Sequence, residues 1–358
     1  MQLGIIGLPQ SGKTTLFNAL TGGSVPTGAG SSRMEVHTAV VDVPDERVDR
    51  LSAMFKPRKT IYAKVTYADI AGLDGSSSAE KGISGQLLNH LQQMEGFILV
   101  IRAFENDMVI HPNDTIDPLR DISIMQSEFI LNDLIAIERK LERLKDEHRK
   151  GGGRDKSIIQ REITLFERLQ EALENETPLR ALEFSDEENR VLSGFGFLSL
   201  KPMLVVFNLH EGQAAPAFEP THPQNLAQVS LQGKLEMDIA QLPAEEAAMF
   251  LEEYGIQEPS LNRMIRLSYD LLGLQSFFTV GEDEVRAWTV RTGATAPQAA
   301  GVIHSDLEKG FIRAETITYE DLITCGSMAE ARSQGKLRLE GKNYLVQEGD
   351  ILHIRFNL

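Results

Sequence analysis

Gly7-Leu8-Pro9-Gln10-Ser11-Gly12-Lys13-Thr14 follows a short apolar run, Leu3, Ile5 and Ile6, and precedes a stretch of helical character, Thr15-Leu16-Phe17-Asn18-Ala19-Leu20. Strand, glycine-bounded turn and helix in that order make a phosphate-binding loop. The glycines let successive backbone N–H groups turn inward around phosphate oxygens, where a Cβ would obstruct them. Gly7, Leu8, Pro9, Gln10, Ser11, Gly12, Lys13, Thr14 and Thr15 are therefore the candidate phosphate-side residues. Lys13 is placed to reach the β- and γ-phosphates and Thr14 to ligate Mg2+, while the helix N-terminus adds partial positive charge.

Outward from the loop, residues 38–43 and 61–67 read as strands, 97–101 and 203–207 as fully buried strands, and 228–230 as a weaker one. Strands alternating with helices indicate an α/β domain with a mostly parallel sheet covered on both faces. Between the two buried strands the pattern changes. Ile130, Leu134, Ile137, Leu141 and Leu144 step by four and three residues, Gly151-Gly152-Gly153 interrupts, and Ile159, Ile163, Phe166 and Leu173 resume the seam. That is an inserted helical hairpin. Short strands and turn signals after about residue 277 read as a small α+β domain. The expected division is 1–119 with 196–274 for the phosphate-binding domain, 120–195 for the insert and 275–358 for the last domain.

The chain has 358 residues, 42% hydrophobic and 25% charged, which suits two or three globular domains and excludes wholesale disorder. No apolar run approaches the roughly 18–20 residues of a membrane span, and the N-terminus lacks a secretory pattern, so no membrane partner is expected. One cysteine, Cys325, excludes an internal disulfide or cysteine-rich zinc site and fits a cytoplasmic location. A net charge of −16 argues against broad coating of nucleic acid, and no DNA partner is expected. The hairpin tip differs: residues 139–161 hold nine bases and four acids. The histidines show no metal-type spacing, and the lone Trp288 reads as a packing residue.

Two further motifs follow the loop. Asp69-Ile70-Ala71-Gly72 ends the second strand, where the carboxylate can hold Mg2+ and the Gly72 N–H can meet the γ-phosphate. Asn208-Leu209-His210-Glu211 stands where guanine-specific relatives carry Asn-Lys-x-Asp. An aspartate there accepts from guanine N1–H and the 2-amino group; adenine offers neither donor. Leu209 and Glu211 depart from that pattern, while Asn208 can still bond a purine. With Ser230, these form the candidate base-side set, shifted away from guanine.

On these motifs the chain resembles the YchF family, Obg-like ATPases of the translation-factor class of P-loop proteins. The resemblance runs through Gly7 to Thr21, Asp69 to Leu73 and Asn208-x-x-Glu211, and is strongest over Glu284 to Thr289, Ala296 to His304 and Glu308 to Glu315. The last stretches resemble the family's C-terminal TGS domain, a ubiquitin-like α+β fold. The resemblance implies Mg2+-dependent, slow hydrolysis of ATP in preference to GTP, and association with the ribosome or its RNA. Leu73, where many relatives carry a water-orienting glutamine, is apolar as the family is, so catalysis rests on Lys13, Mg2+ and backbone. Gln10 and Ser11 replace the family's usual asparagine and valine, so K+ activation is not carried over. Arg33 aligns with an expected switch threonine, and no cysteine lies in the switch regions. Two alternatives remain open: a regulatory GTPase, and a nucleotide-binding RNA or ribosome adaptor with negligible turnover.

Overall fold

The computed structural model describes residues 2–23, 25, 36–70, 83, 85–106, 109–151, 153–253 and 258–357. From the N-terminus run β1 (Gln2–Ile6), α1 (Lys13–Thr21), β2 (Val36–Asp42), α2 (Glu46–Phe55), β3 (Lys59–Ile61), β4 (Lys64–Ile70), α3 (Gly85–Gln93) and β5 (Gly96–Arg102). The hairpin helices α4 (Pro118–Lys150) and α5 (Lys156–Glu174) follow, then β6 (Met203–Asn208) and β7 (Leu226–Leu231). The last strands are β8 (Leu274–Val280), β9 (Glu284–Arg291), β10 (Phe311–Thr318), β11 (Arg338–Glu340) and β12 (Asp350–Phe356). No helix among the described residues is long and apolar enough to cross a membrane.

One sheet has the order β2-β4-β1-β5-β6-β7, and its central pairs, β4 with β1, β1 with β5, β5 with β6 and β6 with β7, are parallel. Every residue of β5 and β6 is buried, as expected of strands covered on both faces. The functional consequence is register. Ile5 pairs with Asp69, and Arg102 pairs with Asn208, so three motifs distant in sequence finish at the carboxyl ends of neighbouring strands.

The hairpin forms as its seam requires. Asp117 caps α4, accepting from the Arg120 N–H at 3.1 Å, with Pro118 in the first turn. Gly151 ends the helix in the left-handed region. Ile137, Leu141, Leu144, Ile159, Ile163, Phe166, Leu169 and Leu173 bury one apolar stripe. At its base, Asp133 of α4 accepts from the Leu198 N–H at 2.8 Å, the Ser199 N–H at 2.7 Å and the Ser199 hydroxyl at 2.6 Å. Burial pushes that carboxyl up to about 6 against the pull of those bonds. Nearby, the Lys201 ammonium donates to the carbonyls of Leu91, Gln92 and Met94, ending α3.

Compactness divides the chain differently from the expected domain order. One unit comprises Met1–Ala39 with Thr66–Met264, the other Val40–Val65 with Ile265–Leu358. The reason is β3. It pairs parallel with β9, Lys59 opposite Glu284 through Ile61 opposite Arg286, as an edge strand of the sheet β11-β10-β12-β8-β9-β3. The expected single strand over 61–67 is thus two strands in two sheets. Arg47 of α2 supports this second unit: its guanidinium lies over the Phe278 ring and pairs with Asp45 and Glu348. Trp288 is half-buried in β9, its indole N–H donating to the Thr279 hydroxyl at 2.9 Å.

Candidate nucleotide-binding site

β1 ends at Ile6 because the next residue must turn. Gly7 sits at φ +147°, and a Cβ there would lie 2.3 Å from the Val100 carbonyl oxygen. The loop closes at Gly12, φ +98°, where a Cβ would meet Asn208 Nδ2 at 2.2 Å. Only glycine fits either position. Between them Gln10 takes a left-handed conformation, φ +62°, with its side chain exposed. Leu8 is buried, Pro9 is half-buried, and Ser11 is buried with its hydroxyl unmatched among the described residues. Helix α1 starts at Lys13 with no acid in its first turn, so the positive end of the helix is not neutralised locally. The Lys13 ammonium arches back over the loop, donating to the Gly7 carbonyl at 3.0 Å and the Leu8 carbonyl at 2.8 Å. Thr15 is half-buried beside it.

Thr14 and Asp69 meet. The Thr14 hydroxyl donates to Asp69 Oδ2 at 2.9 Å, a contact made possible by the β1–β4 register. Asp69 is only 4% exposed, and its other oxygen, Oδ1, has no hydrogen-bond partner among the described residues. Burial raises this carboxyl's pKa, opposed by the Thr14 bond and the charges of Lys13 and His37. An unmatched buried carboxylate oxygen beside a hydroxyl is a hard-oxygen donor set, and it fits Mg2+. Among the described residues no cluster of three or more His, Cys, Asp or Glu side chains forms another metal site. Gly72 and Leu73 lie outside the described residues, as do Arg33 and Gly28 through Gly30.

Asn208, 5% exposed, ties three segments together. Its Nδ2 donates to the Ser11 carbonyl at 3.0 Å, and its Oδ1 accepts from the Gly233 N–H at 3.0 Å. The amide thereby braces the phosphate loop against the turn after β7, leaving one N–H for a ligand. Leu209 is half-buried and packs on the apolar core of the sheet, its N–H donating to the Leu231 carbonyl. Glu211 is exposed at a turn, and Ser230 is half-buried in β7 opposite Phe207. Geometry thus gathers Ser11, Gly12, Asn208 and Gly233 around one amide, with Leu209 directed into the core.

Two residues outside the sequence reading take part. Gly233, where a Cβ would come within 2.9 Å of Asn208 Oδ1, follows β7 and opens the helix Gly233–Ala240. Asn18, 3% exposed, bonds both backbone groups of Val25, at 2.8 and 3.0 Å, and closes the turn after α1. Its signal was present: a polar residue inside the apolar run Leu16-Phe17-Asn18-Ala19-Leu20.

A family model described as 50S ribosome-binding GTPase matches residues 2–140. The YchF-GTPase C-terminal model, described as a protein of unknown function, matches 274–357. The ribosome-binding ATPase YchF of Bacillus subtilis (strain 168) is 40% identical over 368 residues, covering 99% of both chains. The chain belongs to the YchF family. The Escherichia coli O157:H7 ribosome-binding ATPase YchF is 41% identical over 362 residues, again covering 99% of each. The structure of the Schizosaccharomyces pombe YchF GTPase is similar with a TM-score of 0.83 at 31% identity, covering 99% of this chain and 97% of that one. The α/β P-loop fold with its separate C-terminal sheet is therefore the YchF fold.

Proposed function

We propose that this chain is a Mg2+-dependent ATPase of the YchF type that prefers ATP to GTP, hydrolyses it slowly and couples nucleotide occupancy to ribosome association in the cytoplasm. The observation carrying the reading is the Thr14–Asp69 pair at the mouth of the phosphate loop, with one buried carboxylate oxygen left unmatched among the described residues. Thr14 and Asp69 would hold Mg2+, which when bound would neutralise charge on the β- and γ-phosphates. Lys13 brings the loop's own positive charge to the phosphates, and the first N–H groups of α1 point toward the same space. Leu73 cannot orient a water by hydrogen bonding, which supports slow turnover.

Base choice is supported by what the Asn208–Glu211 stretch lacks. A leucine packed into the core replaces the guanine-specific lysine, and Glu211 is one methylene longer than the aspartate that accepts both guanine donors. The ribosome enters through the relatives' names and the N-terminal family description. ATP and GTP affinities on one nucleotide-free preparation test the reading. Tighter ATP binding is expected, and replacing Leu209→Lys with Glu211→Asp should move the ratio toward GTP. Tighter GTP binding by the unaltered chain would overturn it.

A further inference from the structure

Immediately after the base-side residues the chain reverses. The Gln213 N–H donates to the His210 carbonyl at 3.1 Å, and Gly212, at φ +72°, supplies the left-handed third position of the turn. Glu211 therefore sits at the corner of a β-turn. The Gln213 side chain folds back on it. Its Oε1 accepts from the His210 N–H at 3.0 Å, and its Nε2 donates to the Ala103 carbonyl just past the end of β5. The N–H of that same Ala103 donates to the Asn208 carbonyl at 3.0 Å. These bonds form a closed circuit, Asn208 to Ala103 to Gln213 to His210, around the point where the chain leaves β6.

We infer that Gln213 is a positioning residue for nucleotide-base selection, clamping the Asn208–Glu211 segment to the end of β5. This rests on the proposed base-side role of that segment. The clamp needs a primary amide. One end must accept from a backbone N–H while the other donates to a backbone carbonyl, and glutamine reaches both from the far side of the turn. Glutamate keeps the acceptor but sets a carboxylate against the Ala103 carbonyl; leucine keeps the volume and loses both bonds. Beyond the turn, the chain to β7 is exposed over most of its length, so past the Leu209 anchor on β7 it is the Gln213 bonds that hold the direction in which His210 and Glu211 leave the sheet. The phosphate loop is held separately, by the Asn208 side chain and Gly233, and Gln213 bonds neither.

That separation sets the test. Gln213→Leu and Gln213→Glu should each weaken ATP binding about tenfold, and narrow the ATP-to-GTP affinity ratio. Binding of tripolyphosphate, which has no base, should stay within twofold of the unaltered chain. A purely structural role would move both ligands together or neither. Unchanged ATP affinity in both variants, or equal losses for ATP and tripolyphosphate, would overturn the inference. The Leu209→Lys, Glu211→Asp double variant separates the two levels. If it leaves the ATP-to-GTP ratio unmoved, the base-side reading itself falls. If it shifts the ratio while the Gln213 variants do not, only the clamp falls.

Discussion

Replacing Gly12 by alanine strikes the point where the phosphate loop, β6 and the turn after β7 converge. Two costs arise. At φ +98° an L-residue is strained, by roughly 1–2 kcal/mol. The new Cβ would also lie 2.2 Å from Asn208 Nδ2, so the amide must leave. Its departure breaks the bonds to the Ser11 carbonyl and from the Gly233 N–H, leaving buried backbone groups unmatched at about 1–3 kcal/mol each. The sum is roughly 3–8 kcal/mol against the phosphate-binding conformation, enough for a loss of at least about a hundredfold in affinity.

Titration of a nucleotide-free sample with ATP and with tripolyphosphate reads that loss, and urea unfolding reads any part that appears as global stability. The decisive arm is a double-mutant cycle with Asn208→Ala. Among the described residues, no side chain or backbone atom other than those of Asn208 approaches the Gly12 Cβ position within 4 Å, apart from chain neighbours. In the Asn208→Ala background, Gly12→Ala should therefore cost only the backbone strain. The expected coupling is about 2–6 kcal/mol. Additivity to within about 0.5 kcal/mol would refute the argument that Asn208 imposes the glycine.

Asp69→Asn should abolish most of the Mg2+ dependence of ATP affinity, read by titrations with Mg2+ and with EDTA; an unchanged dependence would remove Asp69 from the metal site. For Asp133, burial raises the folded pKa to about 6, so its stabilising contribution is fully present below the ordinary carboxylate range and lost as pH rises through 6. Relative to Asp133→Asn, the unaltered chain should accordingly lose on the order of 3 kcal/mol of unfolding free energy between about pH 4 and 7, and parallel pH curves would count against that origin. Charge reversal at Arg149, Lys150, Arg154 and Lys156 should weaken ribosome co-sedimentation and flatten its salt dependence, whereas identical curves would leave the tip as a solvated helix end.

The hairpin tip shows how a linear count misleads. Within 139–161 bases exceed acids by nine to four, yet folding brings Glu162 beside Lys140 and Arg154, Glu167 beside Lys145, and Glu187 beside Arg161. Arg149 and Lys150 share Asp146. Several of these pairs are well exposed and add little stability, but the three added acids cut the local excess of five positive charges to two. A window that stops at residue 161 cannot see acids one turn further along α5 or beyond it.

Legibility followed the range of the interaction. The phosphate loop could be read because its chemistry is local: two glycines, a lysine and a threonine between one strand and one helix. Asn208 could be read as a strand end, since β6 is an apolar run that stops at a polar residue, and Asp69 from the Asp-x-x-Gly pattern that closes a β-like stretch. The role of the Asn208 amide could not, because both its partners, Ser11 and Gly233, are brought to it by sheet register rather than by sequence distance. Residues 61–67 show the limit most clearly. They look like one strand, alternating and β-rich, but the chain changes sheets at Tyr62 and Ala63. Val43 holds that break by donating to the Ala63 carbonyl at 2.8 Å, and Tyr62 bonds Asp49 of α2. β3, three residues long, has no periodicity to betray it; its partner β9 lies more than two hundred residues away in sequence. The same chain then enters β4 and reaches Asp69 within four residues of the boundary at Val65. A strand too short to announce itself therefore determines which unit carries the segment that leads into Asp69, the proposed Mg2+ ligand.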